Sequence, residues 1–198
     1  MLLEPAQRSS HNRGRGTLVT KPIVVTRDIY REFLINKVIP AIAACWPVED
    51  AANTIWIQQD NARTHVPPED DAFAAAVAQT GLDIRIMNQP PNSPDMNVLD
   101  LGFFASLQSL TYRRIARNMD DLITNVEEEY AEYDDAKVNR VFLTLQSCLI
   151  EVMKVKGGNG YKIPHMNKQG IELQGTLPTT LCCGRATYED ARQALLAE

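Results

Sequence analysis

Two short apolar runs on either side of one helix-forming stretch constrain this chain most. Residues 54–58 read TIWIQ and residues 82–87 read LDIRIM. Both alternate and are rich in β-branched side chains, the pattern of strands with one buried face. Between them, residues 69–80 are rich in alanine, begin with acids and are closed by Gly81, which predicts a helix with a favourable N-terminal charge and a glycine stop. A strand–helix–strand order with a short connection predicts parallel pairing, so the sequence specifies an α/β fold. Asp60 lies just past the end of the first of these strands.

Elsewhere the pattern is largely helical. Residues 1–16 are polar, contain Gly14 and Gly16 and read as loop. TLVTKPIVV, 17–25, holds a short strand broken at Pro22. Thr26 is an N-cap, and Ile29, Phe33, Leu34, Val38, Ala41 and Ile42 follow at helical spacing, interrupted at Pro40 and ended by Pro47. QPPNSPD, 89–95, has three prolines and is an irregular turn, with Asp95 as N-cap candidate for a helix bearing Leu99, Phe103, Leu107 and Leu110 on one stripe. Helices follow at 119–133 and 136–154, the latter with Val138, Phe142, Leu145, Leu149 and Val152 as its apolar face, ended by GGNG at 157–160. Residues 161–186 read as irregular and 187–197 as a last short helix. Trp46 and Trp56 are expected in the core, and His165 in a structural role.

The 198 residues, 44% hydrophobic and 23% charged, suffice for one globular domain, or one domain with an appendage. No run of 18 apolar residues occurs, so no membrane partner is expected, and MLLEPAQRSSHNRGRG has no apolar segment of a secretory signal. Cys45, Cys148, Cys182 and Cys183 lack CxxC spacing, which predicts free thiols in a reducing compartment. The net charge of −5 argues against a generic DNA-coating protein, though not against a nuclease, whose active centre is itself acidic. The mean also hides a split. Residues 1–37 carry seven Lys or Arg against three acids, whereas residues 120–135 carry eight acids and no Lys or Arg. Such asymmetry sets a candidate nucleic-acid arm, with Arg8, Arg13 and Arg15, beside a solvated acidic helix.

The chemistry concentrates in IWIQQDNARTH, 55–65, and QPPNSPDMNVLDLGFF, 89–104. The first delivers Asp60 at a strand end, followed by Asn61 and His65. The second launches a helix that carries Asp100, with 39 residues between the two acids. Carboxylates so placed can converge on Mg²⁺ or Mn²⁺, hard cations that take oxygen ligands and keep other positions for water or phosphate oxygens. Spacing alone is weak evidence in a chain with 25 acids. Asn61 can fix the turn or contact a phosphate. His65 can be a backbone-bonded loop histidine or a group near the metal site that touches substrate or an acid. Asp95 competes with Asp100, its capping position favouring a structural job.

Gln59–Ala62 with His65, and the Pro90–Asn97 turn with Asp100 five residues beyond Asp95, resemble the catalytic domain of mariner-like transposases of the plant-type subgroup. LDLGFF (99–104), RSSHNRGRGTL (8–18), FLINKVIPAI (33–42), NRVFLTLQSCLIEVMK (139–154) and GGNGYKIPHM (157–166) extend the resemblance over most of the chain. It implies an RNase H-like fold with extra C-terminal helices, Asp60 as second and Asp100 as third catalytic and metal-binding acid, Mg²⁺ or Mn²⁺ as cofactor, transposon-end DNA as partner, a homodimer and a nuclear location. His65, Asn61, Arg8, Arg13 and Arg15 become candidate DNA contacts. The resemblance also implies a first acid within a DEKWF-like strand. Glu4, Asp28 and Glu32 lack that context, so the fold is expected to be incomplete at its N-terminus, the DNA-binding helix-turn-helix to be absent, and the chain to be inactive alone. The alternative is a non-catalytic remnant that binds DNA or transposase subunits. The expected organisation is a basic flexible arm over 1–16, a partial catalytic domain over 17–116 and a helical extension over 117–198.

Overall fold

The computed structural model describes residues 2–9, 11 and 14–197. It is of mixed α and β composition and divides into two compact units, Met1–Pro91 and Asn92–Glu198. The division falls at the end of the strand–helix–strand segment rather than near residue 116, because the helix that follows packs with later helices.

In the first unit, β1 (Leu2–Pro5) pairs antiparallel with β2 (Leu18–Lys21). Residues 2–5, expected as loop, are therefore a strand. β2 ends just before Pro22, whose nitrogen cannot donate to a ladder. Thr26 caps α1 (Arg27–Phe33), its hydroxyl accepting from Ile29 N at 3.4 Å. A π-turn, Leu34–Val38, then carries the chain into α2 (Ile39–Cys45), with Pro40 in the first turn of α2. The wider turn lets the helix pass a residue that lacks an N–H donor.

β3 (Ile55–Gln59), α3 (Asp71–Val77) and β4 (Ile84–Asn88) form the expected unit. The strands pair in parallel from Ile55↔Ile84 to Gln59↔Asn88. Ile55, Ile84 and Ile86 join Leu34, Ile39, Val66, Phe73 and Val77 in one core. The other sheet face stays open. Trp56, expected in the core, is 54% exposed and lies under the Arg85 guanidinium, 5.8 Å from its ring, directly across the strand pair. Trp46 is likewise 38% exposed. Gly81, at φ +75°, closes the α3 segment.

Asp70, 7% exposed, links two helices. It caps α3 by accepting from Phe73 N at 3.0 Å, and it receives Arg31 Nε from α1 at 2.9 Å. The Arg31 hydrogen bond, foremost, holds the Asp70 carboxyl below the usual carboxylate range, against the opposing effect of burial.

The second unit is helical. A 3-10 turn (Pro94–Met96) and a π-turn (Leu99–Phe103) lead into α4 (Phe104–Thr111), followed by α5 (Met119–Ala131), α6 (Asp135–Lys154), α7 (Lys168–Leu173) and α8 (Arg185–Leu196). α7 lies in the stretch expected to be irregular. The acidic helix is anchored by Arg114, which pairs with Glu128 and, at 2.6 Å, with Glu129. α6 buries Leu143, Ser147 and Cys148, while Phe142 and Leu149, expected on its apolar face, are exposed. Small side chains allow that closer approach, and the Ser147 hydroxyl is satisfied by the Leu143 carbonyl at 2.8 Å. All four cysteines are free. Among the described residues no helix is long and apolar enough to cross a membrane.

Replacing Asp70 by Ala removes a cap and leaves Arg31 without its buried partner, and is expected to cost about 2–4 kcal/mol in urea unfolding. A depressed carboxyl pKa contributes stability that is fully present above the ordinary value of about 3.9 and lost as pH falls through the folded value. The parent is therefore expected to lose more stability than Asp70→Ala between pH 5 and 2.

Candidate catalytic site

Asp60 is the first residue beyond β3, and a set of amide groups fixes the turn it opens. Gln59, buried at the strand end, donates through Nε2 to the Val66 carbonyl at 2.6 Å and to Asn88 Oδ1 at 3.0 Å. One side chain thus joins the far end of the turn to both strands. Its Oε1 is buried and accepts no hydrogen bond among the described residues. Asn61 Nδ2 donates to the Gln89 carbonyl at 2.8 Å, which places Asn61 in the turn-fixing role.

Asp60 bends its carboxylate back over the turn. Oδ1 accepts from Ala62 N at 2.8 Å, an Asx-type closure. His65 Nδ1 lies 2.8 Å from the Asp60 carbonyl and 2.9 Å from Oδ1. Both neighbours are acceptors, so this bonding assigns the proton to Nδ1 and leaves Nε2 as the acceptor in the neutral ring. Both readings of His65 thus meet in one residue: it bonds the backbone and it touches the acid. The Asp60 side chain remains 56% exposed.

Two residues of α1 brace this turn that the sequence did not single out. Arg27 donates through Nη2 to the Arg63 carbonyl at 2.9 Å and through Nε to that of His65 at 3.1 Å. Tyr30 stacks on His65, with centroids 4.3 Å apart. Burial, and secondly the Asp60 charge, raise the Tyr30 phenol pKa. These residues lie more than 30 positions upstream, where no local pattern reveals a contact; Arg27 figured only in the basic excess. Arg27, Asp60, Asn61, His65 and Asn88 line a cavity of about 200 Å³. That is smaller than the roughly 300–1,000 Å³ of organic-ligand pockets and of a size for a hydrated ion or a phosphate oxygen.

Asp100 lies in the second unit, in the π-turn Leu99–Phe103, where Phe104 N reaches back to the Leu99 carbonyl. Such turns often mark functional positions. Asp95 is not the N-cap expected at this helix. Asn97 takes that role, with Oδ1 accepting from Leu99 N at 3.0 Å and Nδ2 donating to Asp100 Oδ2 at 2.9 Å. Asp95 instead accepts the Tyr161 hydroxyl, and burial together with that bond pushes the Tyr161 phenol pKa well up. Asp95 is thereby engaged in structure while Asp100 stays exposed. The extra residue of the π-turn also shifts the expected stripe: Leu99 is exposed, and Phe103 packs at 5.2 Å from the Tyr133 ring.

Arg8 and Arg15 are exposed in the loop between β1 and β2, which is closed by Ala6 N on the Thr17 carbonyl at 2.8 Å and Gly16 N on the Ala6 carbonyl at 2.9 Å. Arg13 lies outside the described residues. Among the described residues, no group of three or more His, Cys, Asp or Glu is placed to hold a metal ion. Asp60 and Asp100 each carry an exposed carboxylate with one oxygen held by a neighbouring donor. No protein-family profile, curated protein or solved structure matches the chain.

Replacing Asp60 by Asn removes the charge beside Tyr30. Its phenol is expected to titrate closer to the ordinary value of about 10 in an ultraviolet pH titration, and an unchanged value would contradict the Asp60–His65–Tyr30 arrangement.

Proposed function

We propose that the chain carries part of the catalytic region of a mariner-like cut-and-paste DNA transposase, RNase H-like about β3 and β4, with Asp60 and Asp100 as two of its three acids. One observation carries the reading. The QDNA-type motif sits at the end of β3, and its parallel neighbour β4 runs into the Pro-rich turn that ends at the Asn97-capped, Asp100-bearing π-turn. Support also comes from the sheet itself. Parallel sheets are usually larger and covered on both faces, whereas this pair has open edges and an uncovered face at Trp56 and Arg85.

In such a centre Mg²⁺ or Mn²⁺ supplies charge neutralisation and an activated attacking oxygen. The residues divide the remaining work. Asp60 and Asp100 provide hard oxygen ligands. His65 orients the Asp60 carboxylate and keeps Nε2 as an acceptor. Gln59 and Asn61 hold the turn in place, and Asn97 does so for Asp100. Arg8 and Arg15 offer positive charge to a phosphodiester backbone. The same reading assigns transposon-end DNA and a second copy of the chain as partners, in the nucleus.

Two acids fall short of the family's three, so these 198 residues alone, given Mn²⁺ and a plasmid bearing terminal repeats, are expected to leave the DNA uncut. Efficient cleavage abolished by Asp60→Ala and by Asp100→Ala would overturn that division. The ancestry is tested by the surrounding genomic sequence, where flanking inverted repeats and an upstream frame encoding a DEKWF-like strand are expected. Stop codons throughout that upstream frame would favour the non-catalytic remnant, and absence of repeats and frame alike would contradict a transposase origin.

A further inference from the structure

A different cavity, of about 600 Å³, lies wholly within the helical unit. Its wall includes Lys137, Arg140 and Thr144 of α6, His165 and Lys168 at and ahead of the start of α7, and Gly102 of the π-turn. No Asp or Glu lines it, although the chain carries an excess of five negative charges. Lys168 Nζ donates to Thr144 Oγ1 at 2.6 Å, a neutral partner, and forms no ion pair among the described residues. Lys137 Nζ sits 5.8 Å from the Tyr133 ring centre and forms no ion pair among the described residues. Arg140 is paired through Nη1 with Glu172. Tyr133 also lines this cavity.

We propose that this cavity is a phosphate-binding site, taking a terminal or bridging phosphate group among Lys137, Arg140 and Lys168. The chemistry selects phosphate over a carboxylate. Three cationic side chains line the cavity and no carboxylate does, and two of the three, Lys137 and Lys168, form no ion pair among the described residues, which suits a tetrahedral anion with three or four accepting oxygens. Burial pulls the Lys168 ammonium below its ordinary pKa, and a bound anion would offset that desolvation. The volume exceeds what inorganic phosphate fills, leaving room for the group that carries it. Gly102 keeps the π-turn close against this wall: a Cβ there would lie 3.4 Å from Val141 Cγ2. The site stands without the transposase reading.

Calorimetric titration of the whole chain with inorganic pyrophosphate tests it. Saturable binding with one site per chain is expected. Lys168→Met and Lys137→Met should each weaken binding about tenfold, the loss of one charge-assisted hydrogen bond, while Lys168→Arg retains most of it. Should Lys168→Met fail to fold, Lys137→Met, which breaks no ion pair among the described residues, carries the test. A short DNA duplex provides the second arm. Duplex binding displaced by pyrophosphate assigns the site to a bridging phosphate; pyrophosphate binding with no effect on the duplex assigns it to a terminal phosphate. No saturable pyrophosphate binding, or binding unaltered in both Met variants, overturns the proposal.

Discussion

The parallel pairing of β3 with β4 is the constraint on which the first unit depends. Its register sets Ile55 beside Ile84 and Gln59 beside Asn88, so one face fills the core while the strand ends lie level. At that level edge the Gln59 amide reaches the neighbouring strand and the far end of the following turn. A slip of one residue would carry Ile55 and Ile57 to the open face and turn Gln59 out of the core. Asp60 would then open an unbraced loop.

The two acid segments solve the same physical problem in different ways. A carboxylate that takes an external ligand has to stay solvated and yet be held, because a freely rotating side chain loses entropy on binding, and both proposed site carboxylates meet that condition. At Asp60 the restraint comes from its own turn, through Ala62 N and His65, with α1 behind the histidine. At Asp100 it comes from Asn97, whose two amide atoms serve the helix start and the carboxylate at once. In both cases one oxygen is bound while the side chain remains open to solvent. The cavity in the helical unit instead gathers cationic side chains, Arg140 among them paired with Glu172, with no Asp or Glu among its lining residues.

Legibility in the sequence followed the range of the interactions. Alternation in TIWIQ and LDIRIM revealed both strands, and the Ala-rich stretch the helix between them, because those signals are local. Thr26 and Pro40 were equally readable. Trp56 was not: its bulk signals a preference for burial, whereas burial depends on whether another layer covers that sheet face. The face of α6 was misjudged because apolar residues at 141, 142, 143, 145 and 149 fit more than one helical stripe, and Ser147 decided the matter by its small size. Asp95 and Asn97 are both plausible caps by type, and the partner that draws Asp95 away, Tyr161, lies 66 residues on. Asp60, Asn61 and His65 were legible as a motif, but their bracing by Arg27 and Tyr30 was not, since those contacts span more than 30 positions.

The central proposal is that Asp60 and Asp100 each hold a carboxylate open to a hard cation. Its most direct test is Mn²⁺ titration of the whole chain, followed by paramagnetic broadening of backbone amide resonances. Broadening is expected first at residues 60–65 and 99–103, ahead of the acidic helix α5, with Asp60→Ala diminishing it at the first segment and Asp100→Ala at the second. Broadening centred on α5, or undiminished by either substitution, would contradict the claim.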